Sequence, residues 1–270
     1  MKMTGGQAVV AALQSHGVSA VFGMPGVHNL ALYDALLDAP EIRHVVVRHE
    51  QGAGFAADGY ARATGRPGVA ITTAGPGATN ALTAIAEAWS DSSPVVLIAS
   101  HIESPFVEQE RGFGHELRGQ LDVFQTATRF RTRPMRVGEI GPSIAQAFAQ
   151  AQSGRPRPVL VQVPQDVLNQ SADVDPVEPL PPQRQAGDPT TVRAAAKMLA
   201  GAGSRAIFAG VGVHRASADA ELLKLAELLD APVFTTPQGK GAIPEDRGPP
   251  PIQQHSRTPN VPAQCGRACS

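Results

Sequence analysis

The sequence predicts an α/β fold: a doubly wound parallel sheet followed by an incomplete second α/β domain. Three observations carry this. Short apolar runs alternate with helix-length periodic segments through the first 165 residues. The apolar runs show no polar side, as expected of strands in a sheet covered on both faces. Several of them end in a glycine-rich or polar turn, and right-handed crossovers gather those turns at one edge of the sheet.

The elements follow in order. Residues 4–16 read as a helix with Val9, Val10 and Leu13 at apolar positions. Residues 20–22 are a strand stopped by Gly23-Met24-Pro25-Gly26, and a helix covers residues 30–37. Residues 45–47 form a second strand, and Glu50 opens a helix made largely of glycine and alanine. Residues 69–73 are a strand broken by Gly75-Pro76-Gly77, with a helix over 80–89 and a strand over 94–99. After a polar stretch come a helix at 144–150 and a strand at 158–163. Residues 171–189, with Pro176, Pro179, Pro181, Pro182 and Pro189 and no periodicity, read as a linker. A second unit then places helices at 191–199 and 218–229 and strands at 205–209 and 232–236, with Gly210-Val211-Gly212 read as an ordinary turn. The expected organisation is a first domain at 1–170, the linker, a partial central domain at 190–247 and an irregular tail at 248–270. The tail is proline-rich and polar. It reads equally as an out-of-frame stretch or a natural disordered tail.

Composition narrows the function. A net charge of -1 disfavours nucleic acid and anionic membranes as partners. No apolar run has the length of a membrane span, and the N-terminus lacks the apolar core of a signal peptide, so the expected location is cytoplasmic. Cys265 and Cys269 are the only cysteines, and the eight histidines show no metal-ligand spacing, so no metal site is expected.

Glu50 is the first candidate for chemistry. An acid at a helix start is usually structural, because the helix dipole favours it there. Its neighbours Gly52, Ala53, Ala56, Ala57 and Gly59 suggest instead a close-packed partner that would desolvate the carboxylate and suit it to proton transfer. Gly75-Pro76-Gly77-Ala78-Thr79-Asn80 is a strand-to-helix turn able to cradle an anion. A dinucleotide fingerprint fails there, since Asn80 occupies the third glycine position and Ala99 and Ser100 stand where an acid is wanted. His28, His101, His115 and Gln120 fall near the same edge, each with a solvated loop residue as its plain reading.

Four motifs in order complete the reading: Phe22-Gly23-Met24-Pro25-Gly26; Arg48-His49-Glu50-Gln51 with Ala56-Ala57-Asp58-Gly59-Tyr60-Ala61-Arg62; Thr73-Ala74-Gly75-Pro76-Gly77-Ala78-Thr79-Asn80; and residues 157–167. From about residue 4 to about 246 the chain resembles thiamine diphosphate-dependent enzymes, chiefly the acetolactate synthase large subunit and its 2-oxo acid decarboxylase relatives. The resemblance implies that Glu50 hydrogen-bonds N1′ of the cofactor's aminopyrimidine. It implies that Pro76 and Asn80 line the pyrimidine pocket, that Gly75 and Gly77 allow close backbone approach, and that Pro25, Gly26 and Gln120 are neighbouring contacts. The thiazolium ring then serves as an electron sink for a 2-oxo acid. His28 stands where many acetolactate synthases carry a small or aliphatic residue, and is expected to reach the substrate. The lysine those synthases use has no counterpart identified near Arg129, Arg131 and Arg133, which favours a decarboxylase. Family members bind Mg²⁺ and the diphosphate through Gly-Asp-Gly and a downstream Asn in a C-terminal domain, and some bind FAD in the central one. No Gly-Asp-Gly occurs in these 270 residues. The chain is therefore expected to be a C-terminally truncated member, inactive alone, of a family whose full-length enzymes are homodimers. A non-catalytic module pairing with a separate chain through the face at 52–59 is the alternative.

Overall fold

The computed structural model describes residues 1–183 and 186–244. Backbone contacts divide the chain after residue 185. The first unit runs β1 (Lys2–Thr4), α1 (Gly5–Ser15), β2 (Ala20–Gly23), α2 (Leu30–Leu37), β3 (Arg43–Val46), α3 (Glu50–Thr64), β4 (Gly68–Thr72), α4 (Pro76–Asn80) and α5 (Leu82–Ser90). It continues with β5 (Val95–His101), α6 (Gln120–Val123), β6 (Phe130–Thr132), α7 (Val137–Gln152), β7 (Val159–Pro164), α8 (Gln165–Asn169) and β8 (Ser171–Asp173). Six strands form one sheet in the order β3-β2-β4-β5-β7-β6, every pair parallel. The mixed α/β architecture is the one expected.

The sheet is covered on both faces, which explains why its central strands lack a polar side. Val69, Ile71, Val96, Ile98, Val159 and Val161 pack with Val9 and Leu13 of α1 and Ile140, Ile144 and Phe148 of α7. Their neighbours in sequence, Ala70, Leu97, Ala99 and Leu160, face the other way onto Ala53 and Ala57 of α3, Ile85 of α5 and Phe124. The order of strand placement switches at β2: the chain leaves it for β3 on one side and returns to β4 on the other. Loops at such a switch point leave a crevice at the carboxyl ends of the strands.

Several local signals were readable and several were not. Thr4 caps α1 reciprocally with Gln7, each side chain accepting the other's backbone N–H, at 2.9 and 3.1 Å. The helix expected at 144–150 starts earlier, at Val137, and holds Pro142 inside it. Val137, Ile140, Ile144 and Phe148 are all buried on one stripe, and that burial outweighs the missing hydrogen bond. The helix expected at 80–89 is α5, Leu82–Ser90, and the short α4, Pro76–Asn80, precedes it. The proline-rich stretch expected from residue 171 opens as strand, because Ser171–Asp173 pairs antiparallel with Lys2–Thr4. β6 is an edge strand of three half-buried residues, too short to show periodicity.

The thin helix α3 also differs from expectation. Ala53, Gly54, Ala57 and Ala61 face inward. A Cβ on Gly54 would lie 2.6 Å from Ala84 Cβ of α5, and one on Gly68 of β4 would lie 2.0 Å from the Ala57 carbonyl oxygen. Much of the small-residue content is thus used within the domain. Gly52, Phe55 and Gly59 lie on the exposed side. Arg62 ties the helix to its surroundings, donating to Asp58 at 3.1 Å and to Asp91 at 2.6 Å.

The second unit holds α9 (Pro189–Gly201), β9 (Ile207–Ala209), α10 (Gly212–Ala216), α11 (Asp219–Leu229) and β10 (Val233–Thr235). β9 and β10 pair in parallel. Their core among the described residues is Ala209, Leu222 and Ala242, and α9 buries none of its residues. The two strands among the described residues are an incomplete sheet. The tail at 248–270, with both cysteines, lies outside the described residues. No helix among the described residues is long and apolar enough to cross a membrane.

Candidate active site

Glu50 is the first residue of α3. His49 caps the helix from an extended conformation, its Nδ1 accepting the N–H of Gln51 at 3.2 Å. The residue as a whole is 8% exposed. Asn80 Nδ2, at the end of α4, donates to its Oε2 at 2.9 Å. Oε1 has no hydrogen bond within the described residues and lies 3.1 Å from where a Cβ on Gly77 would stand. A carboxylate with one oxygen held and the other free, beside a glycine, can accept one further donor.

The turn after β4 is built around that carboxylate. Gly75 has φ +56, and a Cβ there would lie 2.2 Å from the His115 carbonyl oxygen, so both backbone conformation and space call for glycine. Gln120 is fully buried; its Oε1 accepts the Gly75 N–H at 2.6 Å and its Nε2 donates to the Ser100 carbonyl at 3.1 Å. Gly26 and Gly77 both abut Thr73, whose side chain would meet a Cβ on either at 2.7 and 2.5 Å. The turns after β2 and β4 therefore meet at Thr73, with Pro25, Pro76 and Asn80 exposed around them. Glu50, Gly26, Gly75, Gly77, Asn80 and Gln120 are linked by these contacts. Thr73 opens the third sequence motif but carries no predicted role; only its position between strand and glycine turn hints at one.

The histidines form a second group. His28 and His115 stack with ring centroids 5.3 Å apart. Burial, then the neighbouring His115, pushes the His28 imidazole below its ordinary range, opposed by a hydrogen bond to Gly114. His101 is 1% exposed, and its Nδ1 accepts the N–H of Ile102 at 2.7 Å. Burial first, then Arg133, pushes its pKa down to about 4, with Glu108 opposing. On the other side, burial and then the Glu50 charge raise the Tyr33 phenol above its usual range.

His101 carries a stability prediction. The folded ring stays neutral down to about pH 4, whereas the unfolded ring takes up a proton near 6.5. The unfolded state binds more protons between those values, so stability is full above pH 6.5 and is lost as pH falls toward 4. The loss is at most about 3 kcal/mol. Urea unfolding at pH 7 and pH 4.5 measures it, and His101→Gln is expected to flatten the difference.

A parallel sheet with a carboxylate and bare glycine turns at its switch point is an α/β domain of the class that binds ligands beyond its strand ends. The chain matches two family models, described as thiamine pyrophosphate enzyme, N-terminal TPP binding domain, over residues 3–127, and thiamine pyrophosphate enzyme, central domain, over residues 192–249. Together they take in more than half of the chain, and the chain belongs to the thiamine pyrophosphate enzyme family. It is 38% identical over 255 residues to a probable acetolactate synthase large subunit of Methanocaldococcus jannaschii, covering 90% of this chain and 42% of that protein. It is 42% identical over 246 residues to a probable 2-ketoarginine decarboxylase, AruI, of Pseudomonas aeruginosa, covering 90% and 44%. An acetolactate synthase of Mycobacterium bovis is 40% identical over 248 residues, covering 90% and 40%. The chain thus spans less than half the length of these relatives.

Proposed function

We propose that the first unit holds the aminopyrimidine ring of thiamine diphosphate, in an acetolactate synthase-like enzyme acting on 2-oxo acids by decarboxylation and carboligation. The unbonded Glu50 Oε1, beside Gly77 on an otherwise buried residue whose Oε2 is held by Asn80, supports this reading most directly. The residues fit the group: a flat heteroaromatic ring with a protonable nitrogen needs one carboxylate oxygen and bare backbone around it. When bound, thiamine diphosphate supplies an electron sink for the carbanion left by decarboxylation.

In this reading Glu50 is the catalytic residue, holding and moving a proton at the ring nitrogen N1′. Asn80 fixes its rotamer, and Gln120 fixes the Gly75 turn. Gly26, Gly75 and Gly77 leave room for the ring, Pro25 and Pro76 border it, and His28 stands on the substrate side. The diphosphate and Mg²⁺ are held elsewhere, and the 270 residues by themselves turn over no pyruvate. A second copy pairs through the exposed Gly52, Phe55 and Gly59 of α3. The 42% identity to a probable 2-ketoarginine decarboxylase favours decarboxylation alone as the second reading.

Calorimetric titration of thiamine diphosphate with and without Mg²⁺ tests the cofactor assignment. Binding that Mg²⁺ leaves unchanged is expected. Binding that depends wholly on Mg²⁺, or none in either condition, contradicts it.

A further inference from the structure

Toward the carboxyl ends of β5, β6 and β7, three buried side-chain donors have no acceptor among the described residues: His101 Nε2, Gln162 Nε2 and Arg133 Nη2. Their identity as donors follows from their other bonds. His101 Nδ1 accepts the N–H of Ile102, so the neutral ring carries its hydrogen on Nε2. Gln162 Oε1 accepts from Arg133 Nε at 2.8 Å, which leaves the amide nitrogen free. Arg133 Nη1 donates to Glu108 at 3.0 Å, and Nη2 is unused.

The three belong to one place. Ala99 is the register partner of Gln162, so His101, two residues on, projects from the same face of the sheet. Arg133 is bonded to Gln162, and its charge acts on His101. His101 and Gln162 are 1% and 0% exposed. Native proteins rarely leave buried donors unmet, and a group of them calls for an acceptor.

The set holds donors and one permanent cation, which excludes a metal ion and fits an anion with planar, paired oxygens. A guanidinium fork with flanking N–H groups matches a carboxylate. Glu108 already places one carboxylate oxygen on Arg133 Nη1, at 3.0 Å. Its own side chain is 55% exposed and its backbone has φ +64, so an exposed, left-handed loop residue is what meets the inner cation.

We propose that His101, Gln162 and Arg133 form a receptor for the carboxylate of a small 2-oxo acid, and that the charge of Glu108 opposes its binding. The ligand class rests on the proposed function; the receptor itself rests on the unmet donors. Entry requires the segment carrying Glu108 to lift.

Pyruvate titrated into the chain, followed through the His101 ring resonances, tests this, with methyl pyruvate as the uncharged control. A saturable shift with pyruvate alone is expected. Glu108→Gln, a change at an exposed side chain, is expected to tighten binding about 3-fold by removing a like charge. Arg133→Met is expected to weaken it at least about 10-fold. No saturable shift, an equal response to methyl pyruvate, or indifference to Glu108→Gln overturns the proposal. Thiamine diphosphate titrated in parallel separates the two claims: if it binds in a Glu50-dependent way while pyruvate does not bind, the receptor falls and the cofactor reading stands.

Discussion

Replacing Glu50 with glutamine is expected to lower catalysis by at least about 100-fold in an enzyme carrying this domain, with little change in stability. The amide matches the carboxylate in size, and its oxygen still accepts the bond that Asn80 Nδ2 now makes at 2.9 Å. What it loses is the ability to hold a proton or a charge at Oε1, the oxygen that faces Gly77. A structural acid at a helix start gives a different outcome: losing its interaction with the helix dipole costs about 0.3–1 kcal/mol and leaves activity intact. Steady-state rates and urea unfolding, measured together on both proteins, separate the two roles.

Gly68→Val is expected to cost about 3–5 kcal/mol, enough to unfold much of the first unit. Gly68 starts β4, and a Cβ there would stand 2.0 Å from the Ala57 oxygen and 2.6 Å from its carbonyl carbon. Both are backbone atoms of α3, so no rotamer change relieves the clash; either the helix or the strand has to move. Because α3 begins with Glu50, the displacement reaches the site as well. Gly59→Ala on the same helix is the control. Nothing among the described residues lies within 4 Å of a Cβ there, and the better helix former is expected to stabilise by about 0.5–1 kcal/mol. Denaturant midpoints of the three proteins check the pair.

The parts of this fold that were legible are those set by local pattern. Fully buried strands such as Gly68–Thr72 and Val95–His101 announce themselves as apolar runs, and the turns at Gly26 and Gly75 follow from glycine and proline. What was hidden depends on distant residues. β1 and β8 are strands only because each supplies the other's hydrogen bonds from opposite ends of the unit. α7 reaches back through Pro142 because Val137 and Ile140 have a core to meet. In the sequence the small residues of α3 read as room for an outside partner, yet Gly54 packs against Ala84 of α5 and Ala57 against Gly68 of β4. In the site, the run of motif residues pointed to Glu50 and the glycine turns. The bonds that link Gly75 to Gln120, 45 residues on, and Arg133 to Gln162, 29 residues on, come from the sheet order alone.

The central claim is that the Glu50 carboxylate pairs with the aminopyrimidine. Thiamine diphosphate labelled with ¹⁵N at N1′, bound to this chain and to Glu50→Gln, tests it by ¹H–¹⁵N correlation. The account predicts a far-downfield proton on N1′ with the wild-type chain and its loss in the glutamine variant. The same N1′ signal in both proteins would contradict it.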